Sequence, residues 1–414
     1  MANSNKKNKN STTLDMVSNE FRHERNTISL IPSENLMSDL ATSMYASRMG
    51  NRYVLPLKVG NKYFMPGREN LGNIIQTLNQ KLCSIYKTKY AITKGLSGIQ
   101  QMDMIMSALI KVTDKAVIVD HLNGGHSKTE GIAKKYGFEV ANMYLEFNKW
   151  DIDYKKLKVV TEKWKDEKVL MYIDHTVTLN PLNISKLIKF VPKNWIIYYD
   201  ISHLQLFYFS RIFKFPKHEN FFFGGSTHKT FPGPQKAIIL LNNKELFELI
   251  NNTFDKTISS THTGSLLSLL ITVIEMEVFG VKYAEDILDK TRYLAKLLNS
   301  KLDLVGPLPN LTNTHQICID VPDVTKTIQK LASIGIITTP MRIPSVNRMG
   351  LRLGIQEQCR LGIKKHDLKT LSEVIISCVT HNKIERNLES KVRNLAKKLT
   401  QIQYVLPIKP LGSI

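Results

Sequence analysis

The sequence predicts an α/β protein: a large domain built on a mostly parallel sheet with helices on both faces, then a smaller α+β domain. Three observations carry this. Short apolar runs alternate with amphipathic segments, the rhythm of strands joined by crossover helices. The apolar runs end in polar turns, as buried strands do. Beyond about residue 300 the pattern changes to separate strand-like segments. With 414 residues and 43% hydrophobic content, the chain can bury a large core, and two domains are expected.

Taken in order, residues 1–13 read as a disordered tail, rich in Asn and Ser and carrying Lys6-Lys7-Asn8-Lys9. A helical pattern covers 14–26. The expected boundaries are a tail and arm over 1–27, a large domain over 28–275 and a small domain over 276–414. Runs 116–120, 169–173, 195–200 and 236–241 read as buried strands. Helical segments are expected at 70–87, 98–110 and 127–136, and a long helix at 265–300. Segments 316–321 and 350–354 read as strands of the second domain, which reaches about residue 380 and precedes a basic C-terminal helix. There is no internal repeat.

Composition narrows the function classes. The formal net charge of +21 favours anionic ligands such as phosphates, polyanionic cofactors or nucleic acid. The lysines are scattered, with no basic stripe interleaved with aromatics, so no specific nucleic-acid partner is expected. Cys83, Cys318, Cys359 and Cys378 stand far apart, which indicates neither a zinc site nor a disulfide framework. Reduced cysteines in a cytoplasmic protein are the expectation. No apolar signal core opens the chain. The longest apolar stretch, 266–274, is interrupted by Ser268 and Thr272; it reads as a buried helix too short to span a bilayer.

The chemistry concentrates in Gly224-Gly225-Ser226-Thr227-His228-Lys229-Thr230-Phe231-Pro232-Gly233-Pro234, which reads as a turn framing one lysine. A lysine that forms a Schiff base needs such a frame, because its amine must be desolvated and aimed at one carbonyl. Other residues suit a pyridoxal phosphate site. Asp200 closes an apolar run, where an acid can pair with a protonated pyridine nitrogen. His203 lies three residues on and could orient the cofactor or that acid. Ser97-Gly98 opens a helix, a place for a phosphate. Gly124-Gly125-His126 follows a strand and offers an imidazole to stack on a flat ring. Arg352, in a second-domain strand, could hold a substrate carboxylate by a bidentate pair. Their order along the chain says more than any one of them.

Several motifs together resemble the serine hydroxymethyltransferase family. They are Leu30-Ile31-Pro32-Ser33-Glu34-Asn35, Asn51-Arg52-Tyr53, Gly124-Gly125-His126, Asp200-Ile201-Ser202-His203, Thr227-His228-Lys229-Thr230 and Gly350-Leu351-Arg352-Leu353-Gly354. The resemblance runs from about residue 28 to 362. It implies pyridoxal phosphate fold type I, aspartate-aminotransferase-like, with a seven-stranded type of sheet. It implies Lys229 as the Schiff-base lysine, with His228 and Tyr53 sharing the catalytic work. Asp200, His126, His203, Ser97, Gly98 and Ser226 would contact the cofactor. Gly264 matches a phosphate-contacting glycine donated by a second subunit. Ser33 and Arg352 would bind the amino-acid carboxylate, and Tyr53 would reach the neighbouring subunit's site. A homodimer with shared active sites follows, or a tetramer.

The chain also departs from the family. Leu55 stands where the family carries its acid/base glutamate, which also contacts folate, and a leucine cannot move a proton. Tyr63-Phe64-Met65-Pro66-Gly67 replaces a Tyr-Tyr-Gly-Gly segment. Ile99 replaces a second phosphate-loop serine, and Gln235-Lys236-Ala237 replaces Arg-Gly-Gly. His175 replaces a small cofactor-side residue, and either His121 or His175 could supply a new acid/base. The reading is a pyridoxal phosphate enzyme acting at Cα–Cβ of a β-hydroxy amino acid, as a folate-independent aldolase or transaldolase, with tetrahydrofolate use doubtful. The alternatives are a folate-dependent hydroxymethyltransferase, a racemase, aminotransferase or β/γ-substitution enzyme, and a non-catalytic nucleic-acid binder.

Overall fold

The computed structural model describes residues 2–54, 58–59, 62–63, 67–381 and 383–408. Leu55 and much of the 63–67 segment therefore lie outside the described residues. The elements that build and support the site are α1 (Ala2–Glu24), α2 (Glu69–Tyr86), β1 (Tyr90–Gly95), α3 (Gly98–Leu109), β2 (Lys115–Val119), α4 (Thr129–Lys135) and β3 (Glu139–Met143). They continue with β4 (Leu170–Asp174), β5 (Ile196–Asp200), β6 (Phe221–Ser226), β7 (Ala237–Leu241) and α5 (Thr263–Leu298).

These seven strands form one sheet in the order β1-β7-β6-β5-β4-β2-β3. The pairs from β6 through to β3 are parallel, and β7 runs antiparallel to both its neighbours. Side chains alternate between the faces. Val117, Met171, Ile197 and Phe223 enter one core cluster, while Ala116, Leu170, Ile196 and Phe222 enter another. Both faces are thus dry, which explains why these strands read as continuous apolar runs rather than alternating ones.

The second sheet is antiparallel, made of β8 (Asp303–Val305), β9 (Gln316–Asp320), β10 (Thr339–Ile343) and β11 (Arg348–Gly354) in the order β8-β9-β11-β10. Helices α6 (Lys365–Thr380) and α7 (Leu388–Lys398) follow. The boundary expected at residue 275 falls inside α5, and one core cluster holds both Val119 and Leu351. Ile28–Ser29 pairs in parallel with Ile336–Ile337, so the start of the expected large domain is stitched to the second sheet. By length and composition α5 could cross a membrane. It instead packs here as a core helix and buries Glu275 against Arg360.

Two expectations need correction. The 1–13 segment is not separate from the helix that follows: α1 is continuous from Ala2 to Glu24, and its residues from Thr12 on are exposed. Gly224, Gly225 and Ser226 are not part of a turn; they complete β6. The glycines are there because the neighbouring backbone is close. A Cβ on Gly224 would lie 1.9 Å from the Ile238 carbonyl oxygen of β7. One on Gly225, at φ +139°, would lie 2.8 Å from Asp200 Oδ1. Gly224→Ala must push β7 away, and it should cost about 2–3 kcal/mol, read as a lower unfolding midpoint. An unchanged midpoint would contradict this packing.

Candidate active site

The carboxyl ends of β4, β5 and β6 meet the start of α3 around a cavity of about 210 Å³. Asp174 and Asp200 are register partners at the ends of adjacent parallel strands. Ser97, Gly98, Ser226, Asp200 and His203 all line this cavity, with Gly98 packed close to Ser226. His126, His228 and Lys229 complete the expected residues on its wall.

At the α3 end, Ser97 caps the helix, its Oγ accepting the Gln100 N–H at 3.2 Å. The first N–H groups of this twelve-residue helix are then left to face an anion. Ile99, where a second serine was missed, also lines the cavity. Asp200 is held by the Ser202 N–H, which donates to its Oδ1 at 2.8 Å. Ser202 Oγ in turn accepts from the Ser226 N–H at 2.7 Å, which ties the ends of β5 and β6 together.

Gln316, which the sequence reading passed over, sets the state of His203. Its Oε1 accepts the Thr178 N–H at 3.1 Å, which fixes the amide orientation. Its Nε2 then donates to the Thr176 carbonyl at 3.1 Å and to His203 Nδ1 at 3.1 Å. His203 Nδ1 is therefore the acceptor, and a neutral ring carries its proton on Nε2. Burial, with the charges of Lys229 and Arg352, pushes this imidazole well below its ordinary pKa. Burial also lowers His228 and His175 to about 4. These rings offer hydrogen bonds at neutral pH without adding charge.

Lys229 is half-buried on the cavity wall, and desolvation lowers its amine from 10.5 to about 8, although Asp200 pulls the other way. Its turn is braced from a distance in sequence. Asn35 Nδ2 donates to the carbonyls of Lys229 at 2.8 Å and Thr230 at 3.2 Å. The 30–35 segment is held in turn by Gln356 Nε2, which donates to the Ile31 and Glu34 carbonyls. Its residue Pro32 offers its carbonyl to His315 Nε2 at 3.1 Å.

Arg352 does not itself line the cavity but is joined to its wall. Its Nη1 donates to the carbonyl of Thr176, a lining residue, at 2.8 Å. The side chain is buried, and among the described residues its Nε has no hydrogen-bond partner. Ser33 is half-buried and also stands off the wall. Tyr53 is 54% exposed, and Gly264 is buried beneath Gly50 and Tyr45. Neither borders this cavity, but they are neighbours of each other: Thr263 Oγ1 donates to the Arg52 carbonyl at 2.5 Å. The two candidate acid/base histidines part ways. His175 lines the cavity, while His121 is exposed and bonded to the Gly125 carbonyl.

The wall suits pyridoxal phosphate. It offers a helix start for the phosphate, a carboxylate for the ring nitrogen, an imidazole for the ring face and a poorly basic amine for the carbonyl. Among the described residues, buried atoms without hydrogen-bond partners gather at or beside this wall: both nitrogens of His175, His228 Nδ1, Asp174 Oδ1 and Arg352 Nε. Unpartnered buried polar atoms are costly, and a polar ligand relieves that cost.

Comparison with known proteins agrees. The profile of the serine hydroxymethyltransferase family matches residues 7–375. A serine hydroxymethyltransferase of Sulfolobus acidocaldarius is 30% identical, over 91% of this chain and 90% of that protein. A fluorothreonine transaldolase of Streptantibioticus cattleyicolor is 27% identical over 94% of this chain, which spans 63% of that longer protein. The solved structure of an L-threonine transaldolase from Pseudomonas fluorescens superposes with a TM-score of 0.86, at 23% identity, over 97% of this chain and 96% of that one. The chain belongs to the serine hydroxymethyltransferase family, and is a pyridoxal phosphate-dependent enzyme of fold type I.

Proposed function

We propose that this enzyme is a folate-independent aldolase or transaldolase acting on a β-hydroxy amino acid such as threonine or serine. The cofactor shell around Lys229 is intact, whereas Leu55 replaces the glutamate that would move a proton for folate-linked transfer; that combination carries the reading. The two transaldolases above support it, one by sequence and one by fold. When bound, pyridoxal phosphate draws electrons from the amino acid's Cα, so that the Cα–Cβ bond can break or form.

The protein's own groups then divide the work. The α3 start with Ser97, Gly98 and Ser226 holds the phosphate. Asp200 keeps the ring nitrogen protonated, His126 covers the ring face, and His203 donates from Nε2 toward the ring's hydroxyl side. Lys229 supplies the neutral amine, and His228 stands beside it as a neutral hydrogen-bonding group. Arg352, with Ser33, takes the substrate carboxylate. Tyr53 and Gly264, away from their own cavity but close together, serve the site of a second copy. Leu14, Val17 and Phe21, exposed on one face of α1, fit such a homodimer. A cytoplasmic enzyme that uses small amino acids is the setting we infer.

Threonine offered with an aromatic aldehyde, without folate, should yield the aryl β-hydroxy amino acid, identified by mass. A product that forms only with tetrahydrofolate would favour the second reading, a folate-dependent hydroxymethyltransferase, which the Sulfolobus relative supports. Keto acid or Cα deuterium exchange without aldehyde exchange would point instead to transamination or racemisation.

A further inference from the structure

Asp174 closes β4 beside Asp200, and no role has yet been given to it. Its carboxyl is 4% exposed. Thr129, fully buried at the start of α4, donates its hydroxyl to Asp174 Oδ2. The backbone N–H of His126 also acts on this carboxyl, holding its pKa down. Among the described residues Oδ1 has no hydrogen-bond partner, and Asp174 lines the cofactor cavity. One side chain therefore ties the end of β4 to Thr129, which closes the turn that begins with His126.

We propose that Asp174 is a positioning residue: its buried carboxyl fastens the turn carrying His126 to the end of β4 and so sets the ring-covering imidazole over the cofactor pocket. The backbone alone holds this turn less well. Thr176 N–H reaches the Gly124 carbonyl at 2.8 Å, and Thr129 N–H reaches the His126 carbonyl at 3.1 Å. The proposal rests on pyridoxal phosphate as the cofactor and not on which amino acid is cleaved.

The clasp has a signature in pH. Burial raises the Asp174 carboxyl from 3.8 to about 7, the Thr129 bond lowers it, and the Asp200 charge raises it further. The ionisable groups coupled to it are Asp200, the phenols of Tyr172 and Tyr198, and Lys229. His126 and His175 also face it, and burial keeps both imidazoles low. In the folded state the carboxyl binds its proton more tightly than in the unfolded chain. Its contribution to stability is therefore full below about pH 4 and is lost as pH rises toward 7.

The test compares wild type with Asp174→Asn, Asp174→Ala and Thr129→Val in the full chain. It reads thermal unfolding against pH and the dissociation constant for pyridoxal phosphate by absorbance. Asn cannot ionise, so its melting temperature should gain on wild type by roughly 5 °C between pH 4 and 7 and then hold level. Thr129→Val should move that levelling point to higher pH. Asp174→Ala should weaken cofactor binding about tenfold, with Asn restoring most of the loss. If Ala fails to fold, Thr129→Val carries the affinity arm, with a smaller loss in the same direction. A difference curve flat with pH, or an affinity within twofold of wild type in every variant, overturns the proposal. Neither readout uses threonine turnover, so failure of the transaldolase reading would not register here.

Discussion

Lys229→Ala will fold but will no longer retain pyridoxal phosphate through gel filtration, and its turnover will fall by at least about a thousandfold. Folding survives because the turn is held through backbone carbonyls by Asn35 and not through the lysine amine. Chemistry does not survive, because Lys229 supplies the amine that the site has desolvated. The same desolvation gives a test in the wild-type protein. With the amine at about 8 rather than 10.5, its neutral fraction grows about tenfold per pH unit up to that point and then saturates. The rate at which the cofactor-free protein takes up pyridoxal phosphate should climb with pH and level off near 8. A rate still climbing at pH 10 would mean that the amine is solvated and not held low by its site.

Arg352→Met should lower kcat/KM for the amino acid by roughly 100-fold to 1000-fold, mostly through KM. The guanidinium is buried, donates to the Thr176 carbonyl and has an Nε without a partner among the described residues, so a substrate carboxylate would complete its bonding. Burial has already lowered its pKa to about 10, a cost that an incoming anion offsets. Arg352→Lys keeps the charge but not the fork, and should recover only part of the loss. A Met variant with normal KM would remove Arg352 from the substrate site. Steady-state kinetics on threonine and on glycine binding decide it.

The sheet was legible because its strands are covered on both faces. The runs at 116–120, 169–173, 195–200 and 236–241 fall within a residue of β2, β4, β5 and β7. The edge strand β3 was not legible: one side of it is half-exposed, so Glu139–Met143 has no continuous apolar run. β6 was misread at its end because two glycines there look like a turn. They are in fact the price of close approach by β7 and Asp200.

The site was legible where chemistry demands a rare residue type at a strand or helix end, as with Asp200, Lys229 and Ser97. By the same rule Asp174, an acid closing an apolar run, could have been found. Gln316 could not, because a glutamine at a strand start gives no sign that it sets a histidine's tautomer 113 residues away. Tyr53 and Gly264 were expected at a neighbouring subunit's site, and neither lines the cavity of its own chain.

The central claim is that Cα–Cβ cleavage here needs no folate. The most direct measurement is acetaldehyde release from L-threonine by the holoenzyme, with and without tetrahydrofolate. Steady release at a rate that folate does not change, lost in Lys229→Ala, is the expected result. Release that requires tetrahydrofolate, or hydroxymethyl transfer from serine to it at a comparable rate, would contradict the claim and show that another group has replaced the missing glutamate at position 55.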